Sequence, residues 1–335
     1  RQGLRVSTAD EPLTLAGRRY PIGTALLRVA DNPPALAGRL GAILARHGAS
    51  AVAADSGFVD EGISLGSSQM RALKAPRVAL AWDAPTSSLS AGWARYVLER
   101  RFEQPVTAVR VSSLRRLDLR RYDVLVLPSG DYGDALGEEA VRRLKDWVRA
   151  GGTLVTLAEA SRWAAREKVG LLEARTELRG GKPETEPSEK EKDKPAEPKV
   201  EEGKPFDLEK ALQPERERPE TTPGALLRVL LDQEHWLSAG SDGEIQALVE
   251  SQRVFTPVKL DKGVNVGLYA PLDRLMVSGL AWKEAQQQLA QKAFLIDQPL
   301  GDGHVIAFAE EPNYRAFTEA TQLLFLNAVL LGPAH

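Results

Sequence analysis

Glu159, Ser161 and Arg162 directly follow the apolar run Thr153 to Leu157, the place where an α/β enzyme carries its nucleophile on a strand-to-helix turn. A glutamate there could act as a base on water. Neither histidine nor cysteine stands beside it, so these neighbours assemble no nucleophile and base pair. Cysteine is absent from all 335 residues, which removes thiol nucleophiles, disulfides and thiolate zinc sites. The four histidines do not fill the gap. Three positions after His47, His235 and His304 stand Ser50, Ser238 and Ala307, and His335 is the last residue, so neither HxxE nor HExxH occurs. The histidines are expected in capping or surface roles, and no metal site is expected in this chain.

Other spacings give equally little chemistry. Gly301-Asp302-Gly303 begins like a dinucleotide fingerprint, but Ile306 occupies the third glycine position, so a hairpin turn is the better reading. Gly240-Ser241-Asp242-Gly243 lacks the spacing of a nucleophile elbow. Asp131, Asp134, Glu138 and Glu139 form an acidic group after an apolar run. Acidic residues in the first turn of a helix offset the positive end of its dipole, and that account is preferred here to a metal or acid–base cluster.

The elements that must position these residues alternate. Arg77 to Trp82 reads as a strand, Leu89, Trp93, Tyr96 and Val97 as a helix capped by Ser87 or Ser88, and Val106 to Val111 as a second strand. Asp123 to Leu127 is an apolar run of the kind buried on both faces of a sheet. Val141, Leu144, Trp147 and Val148 mark a helix stopped by Gly151 and Gly152, and Thr153 to Leu157 returns as a strand. The expected fold is α/β, a mostly parallel sheet flanked by helices, with ligand-facing loops at the C-terminal strand ends.

Residues 1–73 are expected to form a small α/β or linker unit: a strand over Gly23 to Val29, a helix carrying Leu36, Leu40, Ile43 and Leu44 that ends at Gly48, and a return strand Ser50 to Ala54. Residues 74–335 form the main domain, with later strands at Ala225 to Leu231, Asn265 to Tyr269, Leu275 to Val277, Ala293 to Ile296 and His304 to Ala309. A closing helix runs from about Tyr314 to Leu331. A charged, flexible insertion interrupts it at about 178–220: between Lys182 and Lys204 stand six lysines, eight acidic residues and four prolines. The net charge of −2 resides there, and the remaining charges balance. Without a basic field, nucleic acid is not an expected partner. No apolar stretch is long enough for a membrane span, and the chain, starting at Arg1, reads as part of a longer precursor.

Five segments carry a resemblance: PRVALAWDAPTSSLSAGWARYVLERRF from Pro76, YDVLVLPSG from Tyr122, GGTLVTLAEASRWAA from Gly151, QPERERPE from Gln213, and GHVIAFAEEPNYRAFTEATQLLFLNAVLLGPA from Gly303. Together they resemble the C-terminal region of large bacterial zinc carboxypeptidases of the carboxypeptidase A-like family. In those proteins a class I glutamine amidotransferase-like domain, flavodoxin-like in fold, follows the peptidase domain. The resemblance places Ser129 and Gly130 at the oxyanion loop, Ala158 at the cysteine position followed by Glu159, and Glu311 at the histidine position.

Alanine has no nucleophilic atom and glutamate cannot replace imidazole as a proton shuttle at neutral pH, so a non-catalytic accessory domain is expected, with these positions vestigial. The resemblance further implies an upstream peptidase domain on the same polypeptide that holds zinc, peptide or cell-wall substrates, and a secreted or periplasmic location. Two alternatives stay open. One is a peptide- or carbohydrate-binding module using Trp82, Asp83, Ser129, Glu159 and Glu311. The other is a hydrolase with Glu159 or Glu311 as base.

Overall fold

The structure is a computed structural model that describes residues 3–184 and 218–335. Most of the expected charged insertion therefore lies outside the described residues.

Six short strands come first: β1 (Ser7–Ala9), β2 (Leu13–Leu15), β3 (Arg18–Tyr20), β4 (Ala25–Leu26), β5 (Glu61–Gly62) and β6 (Met70–Ala72). They pair antiparallel in two three-stranded sheets, β4-β1-β6 and β3-β2-β5, around a small core of Ala9, Leu13 and Ile63. The helix Leu36–His47 ends at Gly48 in the left-handed conformation, as its sequence predicts, but buries only Leu36. The expected return strand Ser50 to Ala54 does not form. Those residues are exposed and irregular, because their small side chains have no sheet edge to pair with. This unit meets the main body through Ile22, which joins the large core.

The main body is built on β7 (Val78–Trp82), β8 (Val106–Arg110), β9 (Val124–Leu127), β10 (Thr153–Leu157), β11 (Gly224–Leu231), β12 (Glu244–Val249), β13 (Val264–Tyr269), β14 (Met276–Leu280), β15 (Ala293–Leu300) and β16 (Gly303–Phe308). All ten belong to one sheet of order β12-β11-β13-β15-β16-β10-β9-β7-β8, with β14 also paired to β11. The fold is α/β. Strands β8, β7, β9, β10 and β16 run parallel, and an antiparallel extension begins at β15.

The parallel strands read as unbroken apolar runs because both faces are covered. In β9, Val124 and Val126 enter the core beneath the C-terminal helix Glu319–Leu330, while Leu125 and Leu127 pack with Leu144, Trp147 and Val148 of the helix Gly133–Arg149. That second helix is interrupted at Gly137 (φ 70°), so Glu138 and Glu139 open its straight run, exposed, as the dipole reading requires.

Gly301 makes the expected hairpin between β15 and β16 with φ 66°, and a Cβ there would stand 2.6 Å from the Arg149 carbonyl oxygen. The closing helix starts at Glu319, later than expected, because Arg315 and Ala316 take positive φ. Strand β12 has no counterpart among the expected strands. Leu275 ends a short helix, Leu272–Leu275, before β14. No helix among the described residues is long and apolar enough to cross a membrane.

Candidate functional site

A cleft of ≈ 190 Å³ opens at the C-terminal ends of the parallel strands. Three sequence-predicted residues meet there. Ser129 arrives from β9, Ala158 from β10 and Glu311 from β16. Strand β12 runs in the same direction as β16 and contributes Leu248, Glu250 and Arg253. The helix Ser88–Arg95, capped by Ser87, adds Leu89, Ser90 and Trp93.

Ala158 is the turn between β10 and the helix Glu159–Ala164, with φ 52° and ψ −112°. Few non-glycine residues adopt this backbone conformation, and it belongs to sharp strand-to-helix elbows. Only a methyl group projects from the elbow. Two nearby amides are already bonded: Ser129 N–H donates to Ser90 Oγ at 2.9 Å and Glu159 N–H to Ser129 Oγ at 3.4 Å. Gly130 must be glycine for packing, since a Cβ would stand 2.7 Å from the Pro85 carbonyl oxygen.

Glu311 accepts a short hydrogen bond from the Ser90 hydroxyl and a longer one, 3.4 Å, from Asn313 N–H. Burial pushes its carboxyl up to about 7, only partly opposed by these bonds. Its neighbour Glu310 is 3% exposed. Burial raises that carboxyl too, although Arg253 and Ser251 hold the ionised form. Arg253 donates from Nε to the Ala309 carbonyl at 2.9 Å, from Nη1 to Glu159 at 2.9 Å and from Nη2 to Glu310 at 2.5 Å. Burial would weaken its charge, but the two carboxylates outweigh that and raise its pKa. Glu159 therefore stands beside the cleft, tied to Arg253 and, at 3.5 Å, to Arg162, and is not on its wall.

Two predicted ligand residues are not brought to the site. Trp82 packs on the core with the Arg95 guanidinium 5.4 Å from its ring. Asp83 turns away at φ 74° and accepts the Val111 amide at 3.0 Å. Conversely, sequence reasoning missed Ser90, Glu250, Arg253, Glu310 and Tyr314. Trp93, on the apolar spacing of the expected helix, is only partly buried and lies 4.8 Å from the Tyr314 ring, and both rings line the cleft. A signal for Arg253 and Glu250 would have been the alternation of β12, whose Ile245, Ala247 and Val249 are buried.

Two histidines take the expected roles, His47 exposed in the last turn of its helix and His235 capping the Leu237 amide through Nδ1, but His235 and His304 also form an arrangement that was not expected. His235 and His304 flank the buried Asp297 at 3.2 and 2.9 Å, on the sheet away from the cleft. Burial would raise Asp297, but hydrogen bonds from both rings hold it below the usual carboxylate range. Burial would lower His304, but Asp297 raises it. Among the described residues, no group of three or more histidines and carboxylates is arranged to hold a metal ion.

No protein-family model matches the sequence, and no curated protein matches it. Solved structures of similar topology include a ThuA-like protein from Parabacteroides merdae, 12% identical over 77% of this chain and 89% of that one, with a TM-score of 0.48. A Thermoplasma acidophilum protein designated a GMP synthase component is 10% identical over 76% of this chain and 92% of that one, at 0.44. A glutamine amidotransferase from Thermotoga maritima is 8% identical over 71% and 76%, at 0.42. Similarity at this level carries no conclusion about activity.

Proposed function

We propose that the chain is a non-catalytic, amidotransferase-like accessory domain whose degenerate cleft binds rather than transforms its ligand. The observation that carries this reading is Ala158 at φ 52° and ψ −112°: an elbow built to present a nucleophile, holding none. The Ser90 and Ser129 hydrogen bonds add to it, because a carbonyl oxygen placed there would find those amides engaged. The sequence resemblance supports the finer proposal that the parent polypeptide carries a zinc carboxypeptidase domain upstream, is secreted or periplasmic, and acts on peptide or cell-wall material. Zinc would be held by that domain.

The test is to express this chain alone and joined to its upstream region, then measure bound zinc, release of C-terminal amino acids, and turnover of simple amides and esters. The joined protein should hold zinc and release amino acids, and the isolated chain should do neither. Stoichiometric zinc, peptidase activity or amide turnover in the isolated chain overturns the proposal.

One observation favours a second reading. Glu311, raised to about 7 and bonded to the Ser90 hydroxyl, is poised as a general base near neutral pH. A hydrolase on this plan would show turnover that rises with pH through about 7 and disappears in Glu311→Gln. Glu159 does not fit that role, since two arginines hold it.

A further inference from the structure

We infer that the cleft takes a cationic group on an apolar stem, an alkyl-ammonium or guanidinium of the kind a basic peptide side chain presents. The inference rests on the reading of the cleft as a binding site and goes further by naming what it binds.

Charge on the cleft wall is one-sided. Glu250, Glu310 and Glu311 face the space, and among the described residues the single cation on the wall is Arg253. Three of its five N–H donors are taken, by the Ala309 carbonyl, Glu159 and Glu310, and those two carboxylates already counter its charge. Phosphate or carboxylate would meet three carboxyl groups and an arginine whose charge Glu159 and Glu310 already counter. Glu311 is served by one hydroxyl and a 3.4 Å amide, and Glu250 is exposed at the rim. A bound ammonium would supply the countercharge both lack.

The aromatic part of the lining suits the stem. The rings of Trp93 and Tyr314 lie 4.8 Å apart at 57°, and Leu89 is 62% exposed beside them. The Arg315 guanidinium already stands 5.2 Å from the Tyr314 ring centroid, so Trp93 is the ring offered to a cation, while both rings and Leu89 can cover methylene groups. Size decides between ligand forms. At ≈ 190 Å³ the cleft is below the range of roughly 300–1,000 Å³ that encloses a drug-sized molecule, so it fits one side chain and not a run of sugar rings.

The test uses the whole 335-residue chain. Nα-acetyl-lysine amide and Nα-acetyl-arginine amide are titrated against tryptophan fluorescence and by calorimetry, beside Nε-acetylated lysine, norleucine and glutamate amides. Glucosamine and N-acetylglucosamine form a separate arm that tells a sugar amine from a peptide one. Saturable binding is expected for the lysine and arginine probes, weakened at least about tenfold by Nε-acetylation, by Glu311→Gln and by Trp93→Leu. Glu250→Gln lies at the exposed rim, so its loss of affinity cannot be ascribed to misfolding. Equal binding of neutral or acidic probes, or no saturable binding of either basic probe, overturns the inference. Neutral-probe binding would still leave the cleft a binding site, whereas amide turnover would remove the underlying reading, so the two failures are distinct.

Discussion

The backbone amide of Ser129 donates to the side-chain oxygen of Ser90 at 2.9 Å, and the same hydroxyl donates to Glu311. One serine, 2% exposed, thereby joins a loop after β9 to a loop after β16. Ser90→Ala leaves an amide without its acceptor and a buried carboxyl without its principal donor. A loss of about 1–3 kcal/mol is expected from the urea midpoint, with the m-value unchanged. In a Glu311→Gln background the loss should shrink, because a neutral amide depends less on the hydroxyl. Equal losses in both backgrounds would show that Ser90 does not act through Glu311.

Ala158 at φ 52° predicts the opposite sign for an ordinarily destabilising substitution. Strain at such a non-glycine residue is worth about 1–3 kcal/mol, and glycine returns roughly 0.4–1 kcal/mol of that through greater freedom in the unfolded chain. Ala158→Gly should therefore stabilise the fold by about 1 kcal/mol, and Ala158→Val should lower stability. Both are read from urea midpoints. A destabilising glycine would mean that the elbow is unstrained.

How much of this was legible in the sequence depends on what fixed each position. Val124 to Leu127 and Thr153 to Leu157 could be read as strands because burial on both faces demands unbroken apolar runs. Ser129, Ala158 and Glu311 were brought together by the resemblance, and they meet because each follows the C-terminal end of one of three neighbouring parallel strands. The same logic failed for Trp82 and Asp83, whose side chains are taken by Arg95 and the Val111 amide, contacts set by packing and not by strand position. Arg253 was hidden because it follows β12, the strand at the far edge of the antiparallel extension, and only the path of the chain after that strand brings it to Glu310. The pairing of His235 and His304 with Asp297 likewise depends on tertiary placement that no local spacing reveals.

Glu311 gives a pH signature. Its folded-state value of about 7 lies above the ordinary 4.5, so the folded chain binds this proton more tightly than the unfolded one. The resulting stability is complete below about pH 4.5 and is lost as pH rises through about 7. Glutamine has no proton to lose. Glu311→Gln should therefore gain on the natural chain across that window, by up to about 3 kcal/mol at pH 8. Urea midpoints at pH 4, 6 and 8 check this, and parallel curves for the two proteins would contradict it.

Arg253 tests whether buried charge or simple packing holds the cleft floor together. Its guanidinium neutralises Glu310, which is 3% exposed, and Glu159, whose side chain keeps 38% of its exposure. Arg253→Leu leaves Glu310 ionisable and buried with Ser251 as its one remaining side-chain donor among the described residues, and a loss of about 3–5 kcal/mol is expected. Adding Glu310→Leu removes the stranded charge and should restore much of that loss, since an apolar pair of similar volume often replaces a buried ion pair at little cost. Glu159→Gln in the Arg253→Leu background should change stability by less than about 1 kcal/mol, because its carboxylate reaches water. If Glu310→Leu brings no recovery, the Arg253 contribution lies in its Nε bond to the Ala309 carbonyl and in packing between the loops after β12 and β16.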